Sequence, residues 1–186
     1  MGWQPLTKLL IRWARKLVGR IKRKFGYGRQ EVWSRYTEKA RKVIVYAEEE
    51  ARRLGHNWIY PEHFLLGLTR VTDSFGACLL KWMGISLESI RREVERFTPQ
   101  GDLGLGQEIK LTSRGRRVLQ LVCKEADELG DDHIGTEHLL LGILCEREGM
   151  AAQILNKLGV DIELVRTEVI KLHSIEGPGE PQQPHQ

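Results

Sequence analysis

Gly130–Leu144, GDDHIGTEHLLLGIL, is written almost a second time at Gly55–Leu68, GHNWIYPEHFLLGL. Each copy sets down a glycine, a short polar turn, a Glu-His pair and an apolar run. A glycine there supplies the left-handed stop of one helix, and the apolar run starts the next. A unit that occurs twice in a chain of 186 residues makes an internal repeat the first thing to test.

Outward from the first copy, Thr37 is a good N-cap. Ala40, Val43, Ile44, Ala47, Ala51 and Leu54 then follow at helical spacing up to Gly55. His56 to Ile59 form a turn, and Pro61 suits the first turn of a second helix carrying Phe64, Leu65, Leu66 and Leu68. A third helix carries Phe75, Cys78, Leu79, Trp82 and Met83 and stops at Gly84; Ser86 caps a fourth with Ile90, Val94 and Phe97. The pattern restarts 75 residues later: Thr112 repeats Thr37, Val118 repeats Val43, and Gly130, Glu137, His138, Gly142, Gly159 and Val169 repeat Gly55, Glu62, His63, Gly67, Gly84 and Val94. The expected fold is all-α, a tandem pseudo-twofold pair of four-helix repeats at 36–97 and 109–173. A Gly-rich polar linker at 98–108 joins them, and a tail at 174–186 with little to bury is expected to be disordered.

Charge divides the chain differently. Residues 1–35 hold ten Lys and Arg against one acid, Glu31, whereas the remaining 151 residues carry 19 basic and 24 acidic side chains. A basic arm is therefore attached to a mildly acidic body. Within residues 1–30, Trp3, Leu6, Leu9, Leu10, Trp13, Leu17 and Ile21 recur at helical spacing, with Arg12, Lys16 and Arg20 among the cations that take the remaining circumference. This predicts a basic amphipathic helix followed by a joint at Gly26–Arg29. Anchoring at an anionic membrane surface leads, because the two Trp rings lie with the leucines and suit a headgroup boundary. Docking on a protein partner, an organelle transit segment and a nucleic-acid contact are the alternatives, the last being the weakest because the basic face has so many large apolar neighbours. Cys78, Cys123 and Cys145 fall within apolar helical patterns without metal-ligand spacing, so they are expected as reduced core residues in an intracellular protein.

The stretches YTEKARKVIVYAEEEARRLGHNWIYPEHFLLGL and LTSRGRRVLQLVCKEADELGDDHIGTEHLLLGIL, each followed by a Gly-punctuated helix pair, resemble the Clp repeat. That unit occurs in tandem as the N-terminal domain of Clp-type AAA+ unfoldases, and the resemblance is to the ClpC branch above all. It covers roughly residues 36–172 and leaves out the arm and the tail. It implies a docking module that receives substrates and adaptors and, in the ClpC branch, recognises phosphorylated arginine. No GxxxxGK[ST] phosphate loop occurs in the sequence, so the ATPase modules are not expected here.

Glu137 inherits the ligand role from the resemblance, with Thr136 and Thr112 as neighbours; in the first repeat the role falls on Glu62 with Thr37. The chemistry is plausible at a helix start, where a threonine hydroxyl can cap, free N–H groups attract an anion and a carboxylate can accept a guanidinium. Pro61 removes a hydroxyl from the first copy, while Asp131 and Asp132 add negative charge near the second. His63 and His138 have no second His at i+4, so no metal site is expected and helix-start packing is their role. Glu48 to Glu50 read as a solvated face with one inward neighbour. No catalytic grouping and no cofactor site can be read.

The expected function is a non-catalytic accessory, adaptor or regulator of a Clp-type AAA+ protease. Its partners would be the unfoldase, its adaptors or protein substrates, in the cytoplasm or at the inner membrane surface, with an organelle as the alternative location. The competing reading is a membrane-associated scaffold that kept the fold and left proteolysis.

Overall fold

The computed structural model describes residues 29–102 and 108–176. Trp3, Leu6, Leu9, Leu10, Arg12, Trp13, Lys16, Leu17, Arg20 and Ile21 of the expected amphipathic helix lie outside the described residues.

A short α1 (Arg29–Arg35) precedes two sets of four helices. The first set is α2 (Glu38–Arg53), α3 (Pro61–Arg70), α4 (Phe75–Trp82) and α5 (Leu87–Phe97). The second is α6 (Ser113–Leu129), α7 (Thr136–Cys145), α8 (Met150–Lys157) and α9 (Ile162–Glu176). Every helix of the second set starts 75 residues after its counterpart, so the sequence period is a structural period. The described part is all-α apart from two short strands, β1 (Trp58–Ile59) and β2 (Lys110–Leu111).

The stops and caps are those the residue types dictate. Gly55, Gly84, Gly130 and Gly159 have positive φ, between 72° and 86°, where a side chain would be strained. Thr37, Ser74, Ser86 and Thr112 each accept a backbone N–H in the first turn of α2, α4, α5 and α6.

At the centre lie α3 and α7, whose apolar runs are buried around most of their circumference. Each packs most closely on the helix before it, α2 or α6, and the two also touch each other. That close packing needs Gly67 and Gly142. A Cβ on Gly67 would sit 2.4 Å from the Val43 carbonyl oxygen, and one on Gly142 would sit 2.4 Å from a Val122 methyl. Phe64, Leu65, Leu66, Leu139, Leu140 and Leu141 are fully buried, each worth about 1.5–3 kcal/mol of transfer free energy. Across the junction, α4 packs on α7 and α8 on α3, the relation expected of a pseudo-twofold pair.

Several expectations need correction. Trp33 of α1 is buried and stacks on Tyr36 with ring centroids 5.7 Å apart, so the packed body begins before Tyr36. Cys78 is exposed, and Cys123 and Cys145 are half-buried; each thiol meets a polar group, Thr72 O, the Tyr36 hydroxyl and the Glu125 carboxylate respectively, and not the apolar core alone. Trp82 is 68% exposed, lying outside the apolar face of α4. Glu48 and Glu50 are both buried, so the acidic run of α2 points two of its three carboxylates inward. Residues 174–176, expected as the start of the tail, continue α9.

Candidate functional site at the repeat junction

The two repeats are joined by backbone hydrogen bonds at their helix starts. Ile59 pairs in parallel register with Leu111, and Ile134 forms the equivalent bridge with Tyr36. Thr112 N–H donates to Ile59 O (3.1 Å), and Thr37 N–H donates to Ile134 O (3.0 Å). The turn before α3 is thus stitched to the start of α6, and the turn before α7 to the start of α2. Short parallel strands are uncommon alone, but here each is flanked by buried helices.

This arrangement regroups the candidate ligand residues. The sequence groups Thr37 with Glu62 and Thr112 with Glu137. The structure instead sets Thr112 beside the turn that leads into Glu62, and Thr37 beside the turn that leads into Thr136 and Glu137. A repeat read along one dimension hides this crossing, because each junction takes one strand from each copy. Thr112 is tied more firmly: its hydroxyl accepts the Gly115 N–H (2.9 Å) and donates to Ile59 O (2.9 Å). Thr37 Oγ1 accepts the Ala40 N–H at 3.2 Å.

Thr136 does not cap its own helix. Gly135 is the N-cap of α7, and the buried Thr136 hydroxyl accepts the Gly76 N–H of α4 at 3.0 Å. It therefore binds the first repeat to the second, and its first acceptor capacity is already used. The histidine of each Glu-His pair has a structural role at both starts. His63 Nδ1 accepts the Tyr60 N–H and His138 Nδ1 the Gly135 N–H, each at 3.0 Å, so the third residue of each helix satisfies its N-cap donor.

Glu62 and Glu137 occupy equivalent positions in different surroundings. Glu62 is buried, and burial pushes its carboxyl above the usual carboxylate range, with Glu146 of the second repeat adding to the shift. Glu146 has one oxygen on Arg114 (2.7 Å), and its other oxygen is buried with no hydrogen-bond partner among the described residues. Glu137 is half-buried and lies 3.2 Å from His138 Nδ1. Trp58 and Tyr60 are each 38% exposed on the first turn, where the second copy has His133 and Gly135. Sequence reasoning passed over these rings; alternation around the buried Ile59 was the signal that could have found them.

Arg35 was also missed. It donates to Asp132 O (3.0 Å) and Asp131 O (2.8 Å) and pairs with Asp127 (2.7 Å), so α1 braces the second repeat's turn. Among the described residues no group of three or more His, Cys, Asp or Glu is placed to hold a metal ion.

Two four-helix repeats joined crosswise at capped helix starts define a tandem helical-repeat domain. Residues 35–158 and 134–185 match the Clp repeat (R) N-terminal domain, and the chain belongs to that family. It is 49% identical over 141 residues to the ATP-dependent Clp protease ATP-binding subunit ClpA homolog of Guillardia theta, covering 76% of this chain and 17% of that protein. Chaperone protein ClpC2, chloroplastic, of Oryza sativa subsp. japonica is 48% identical over 143 residues, covering 77% of this chain and 16% of that one. The chain thus spans about a sixth of the length of these relatives. The ClpV N-domain solved in complex with VipB peptide shares the fold, with TM-score 0.63 at 13% identity over 76% of this chain and 88% of that chain.

Proposed function

We propose that this protein is a non-catalytic docking module that serves a Clp-type AAA+ protease as accessory, adaptor or regulator. The carrying observation is the crosswise junction, which offers two related helix starts, each bordered by a threonine cap and a buried or half-buried glutamate. The ClpV N-domain's complex with a peptide supports a polypeptide as the occupant of such a fold. Thr112 with Glu62 forms one candidate site, and Thr37 with Thr136 and Glu137 forms the other. Arginine phosphorylation on an unfolded client is the ligand chemistry that the resemblance implies for them.

The basic arm sets where cargo is delivered, with an anionic membrane surface as its target. A pull-down with the full chain from its native lysate recovers a Clp unfoldase, adaptor or client; recovery of no Clp component contradicts the proteolytic role. Flotation with anionic liposomes is lost when residues 1–25 are deleted; unchanged flotation removes the membrane clause. The chloroplastic relative favours a second reading of residues 1–30, an organelle transit segment, which predicts import and cleavage within the arm.

A further inference from the structure

The first repeat carries a pair of histidines where the second has a histidine and an aspartate. His56 Nδ1 lies 3.0 Å from His63 Nε2, and at the equivalent place His138 Nε2 lies 2.8 Å from Asp131 Oδ2. Hydrogen-bond logic fixes the tautomers of the first pair. His63 Nδ1 accepts the Tyr60 N–H, so the ring's single proton is on Nε2 and is donated to His56 Nδ1. His56 therefore keeps its own proton on Nε2, which donates to Pro99 O at 2.8 Å. A second proton on His56 would fall on Nδ1 and set N–H against N–H. A second proton on His63 would face the Tyr60 N–H. The three bonds hold together only while both rings are neutral.

Both ends of this chain matter to the junction. Pro99 opens the segment that leaves α5 for the second repeat, and two more bonds hold that segment down: Gly101 N–H to Leu54 O (2.8 Å) and the Gln100 side chain to Arg53 O (3.4 Å). The backbones of Gly55 and Gly101 are so close that a Cβ on Gly101 would lie 2.2 Å from the Gly55 oxygen. At the other end, Tyr60 is the N-cap of α3, two residues before Glu62.

We propose that the His56–His63 pair is a proton-sensitive latch: neutral, it fastens the Pro99–Gly101 segment to the turn before α3, and on taking up one proton it releases that segment and loosens the start of α3 in the first repeat alone. The inference rests on the hydrogen-bond geometry and stands whether or not the proposed docking function holds.

The charges around the pair leave this assignment intact. Glu50 of α2 acts on His63, but its carboxylate is already held by Arg53, Arg70 and by Arg91 of α5, with Glu95 of α5 on Arg53. From α3 and its turn the neighbouring titratable ring is Tyr60, edge-on to both histidines. Pro99, Gln100 and Gly101 present only carbonyls and amides. Burial first, and His56 second, push the His63 pKa from 6.5 down to about 3, against the opposing pull of Glu50. A group depressed in this way is neutral in the closed latch and takes up its proton when freed. The latch is therefore fully closed above about pH 6.5 and weakens as pH falls from there towards His63's folded value. In the second repeat Asp131 takes the His138 Nε2 proton, and the Glu137 carboxylate lies 3.2 Å from Nδ1 and against Gly135. A proton added on Nδ1 there meets an acceptor that His63 lacks among the described contacts.

Amide hydrogen exchange of the full chain by NMR, corrected for intrinsic rates, tests this at about pH 8 and about pH 5.5. Protection of the Gly101 and Tyr60 amides is expected to fall at least about tenfold at the lower pH, while Gly135 changes by less than about threefold. His56→Asp, which has no ring to bond Pro99 O, is expected to lower Gly101 protection at both pH values and to hold it within about threefold across the same range. Equal protection of Gly101 and Tyr60 at both pH values, or an unchanged fall in His56→Asp, overturns the latch. Imidazole nitrogen shifts of the unsubstituted protein at about pH 8 supply a readout independent of the variant's folding. They are expected to show the Nε2–H tautomer for both rings, and an Nδ1–H tautomer on either overturns it.

Discussion

The two repeats share a buried framework and differ in what they do with charge. Glu50 and Glu125 occupy equivalent places in α2 and α6, 3% and 2% exposed, and each is met by the equivalent arginine of the fourth helix, Arg91 or Arg166. Around Glu50 the ring is completed by Arg53 and Arg70; around Glu125 it is completed by the Cys145 thiol, which donates at 3.0 Å. Burial raises both carboxyls, yet hydrogen bonds from Arg91 and Arg53, or from Cys145 and Arg166, outweigh it and hold them below the usual range. The cost passes to the thiol, which burial and Glu125 push up to about 12. The same fold thus tolerates three arginines or one at its internal carboxylate, provided the carboxylate is fully satisfied.

The sharpest break of this symmetry should come at the two close-approach glycines. Gly67→Ala meets the Val43 carbonyl and the Ala47 amide, both backbone atoms, and is expected to cost about 3 kcal/mol or more. Gly142→Ala meets first a Val122 methyl and then the Val122 backbone nitrogen at 2.9 Å, a looser backbone approach than at Gly67, and should cost less, about 2 kcal/mol. Urea denaturation of both variants checks the order, and equal losses would mean that the helix pairs are not held by the contacts described.

Next comes the internal carboxylate. Glu50→Gln leaves three arginines short of their shared anion and should cost about 2 kcal/mol, whereas Glu125→Gln leaves one and should cost about 1 kcal/mol. Thermal melting at neutral pH tests this, and a larger loss for Glu125→Gln would reverse the reading of Cys145 as a neutral donor. The smallest difference is at the caps. Thr112→Ala should cost about 1.5 kcal/mol and Thr37→Ala about 1 kcal/mol, because only Thr112 also donates across the junction to Ile59 O. Double substitution with a truncated partner repeat would show whether that extra bond couples the copies.

Much of this was legible in the sequence because it is carried by local rules. Thr37, Ser86 and Thr112 cap helices, Gly55 and Gly130 end them, and the 75-residue offset survives through cap, stop and core alike. The buried face of α2 follows from the spacing of Ala40 to Ala51 alone. What remained hidden depends on contacts between the copies. No periodicity reports that Ile59 pairs with Leu111, that Thr136 serves Gly76 of the other repeat, or that Glu62 lies near Glu146. The inward turn of Glu48 and Glu50 was equally silent, since the partners of Glu50 sit on α3 and α5 as well as on α2. Thr37 and Thr112 cap helices as their residue type and spacing predict, and the junction, which no spacing reports, sets each beside the turn of the other copy.

The proposed cargo site is the crosswise junction. Amide chemical-shift mapping of the full chain with a short peptide bearing one phosphoarginine tests it most directly. The account predicts shifts concentrated at residues 58–62 with 110–114 and at 36–38 with 133–138, diminished by Glu62→Ala and Glu137→Ala in their own clusters. Shifts spread over α5 and α9, or clusters that respond to the glutamate of the other junction, would contradict it.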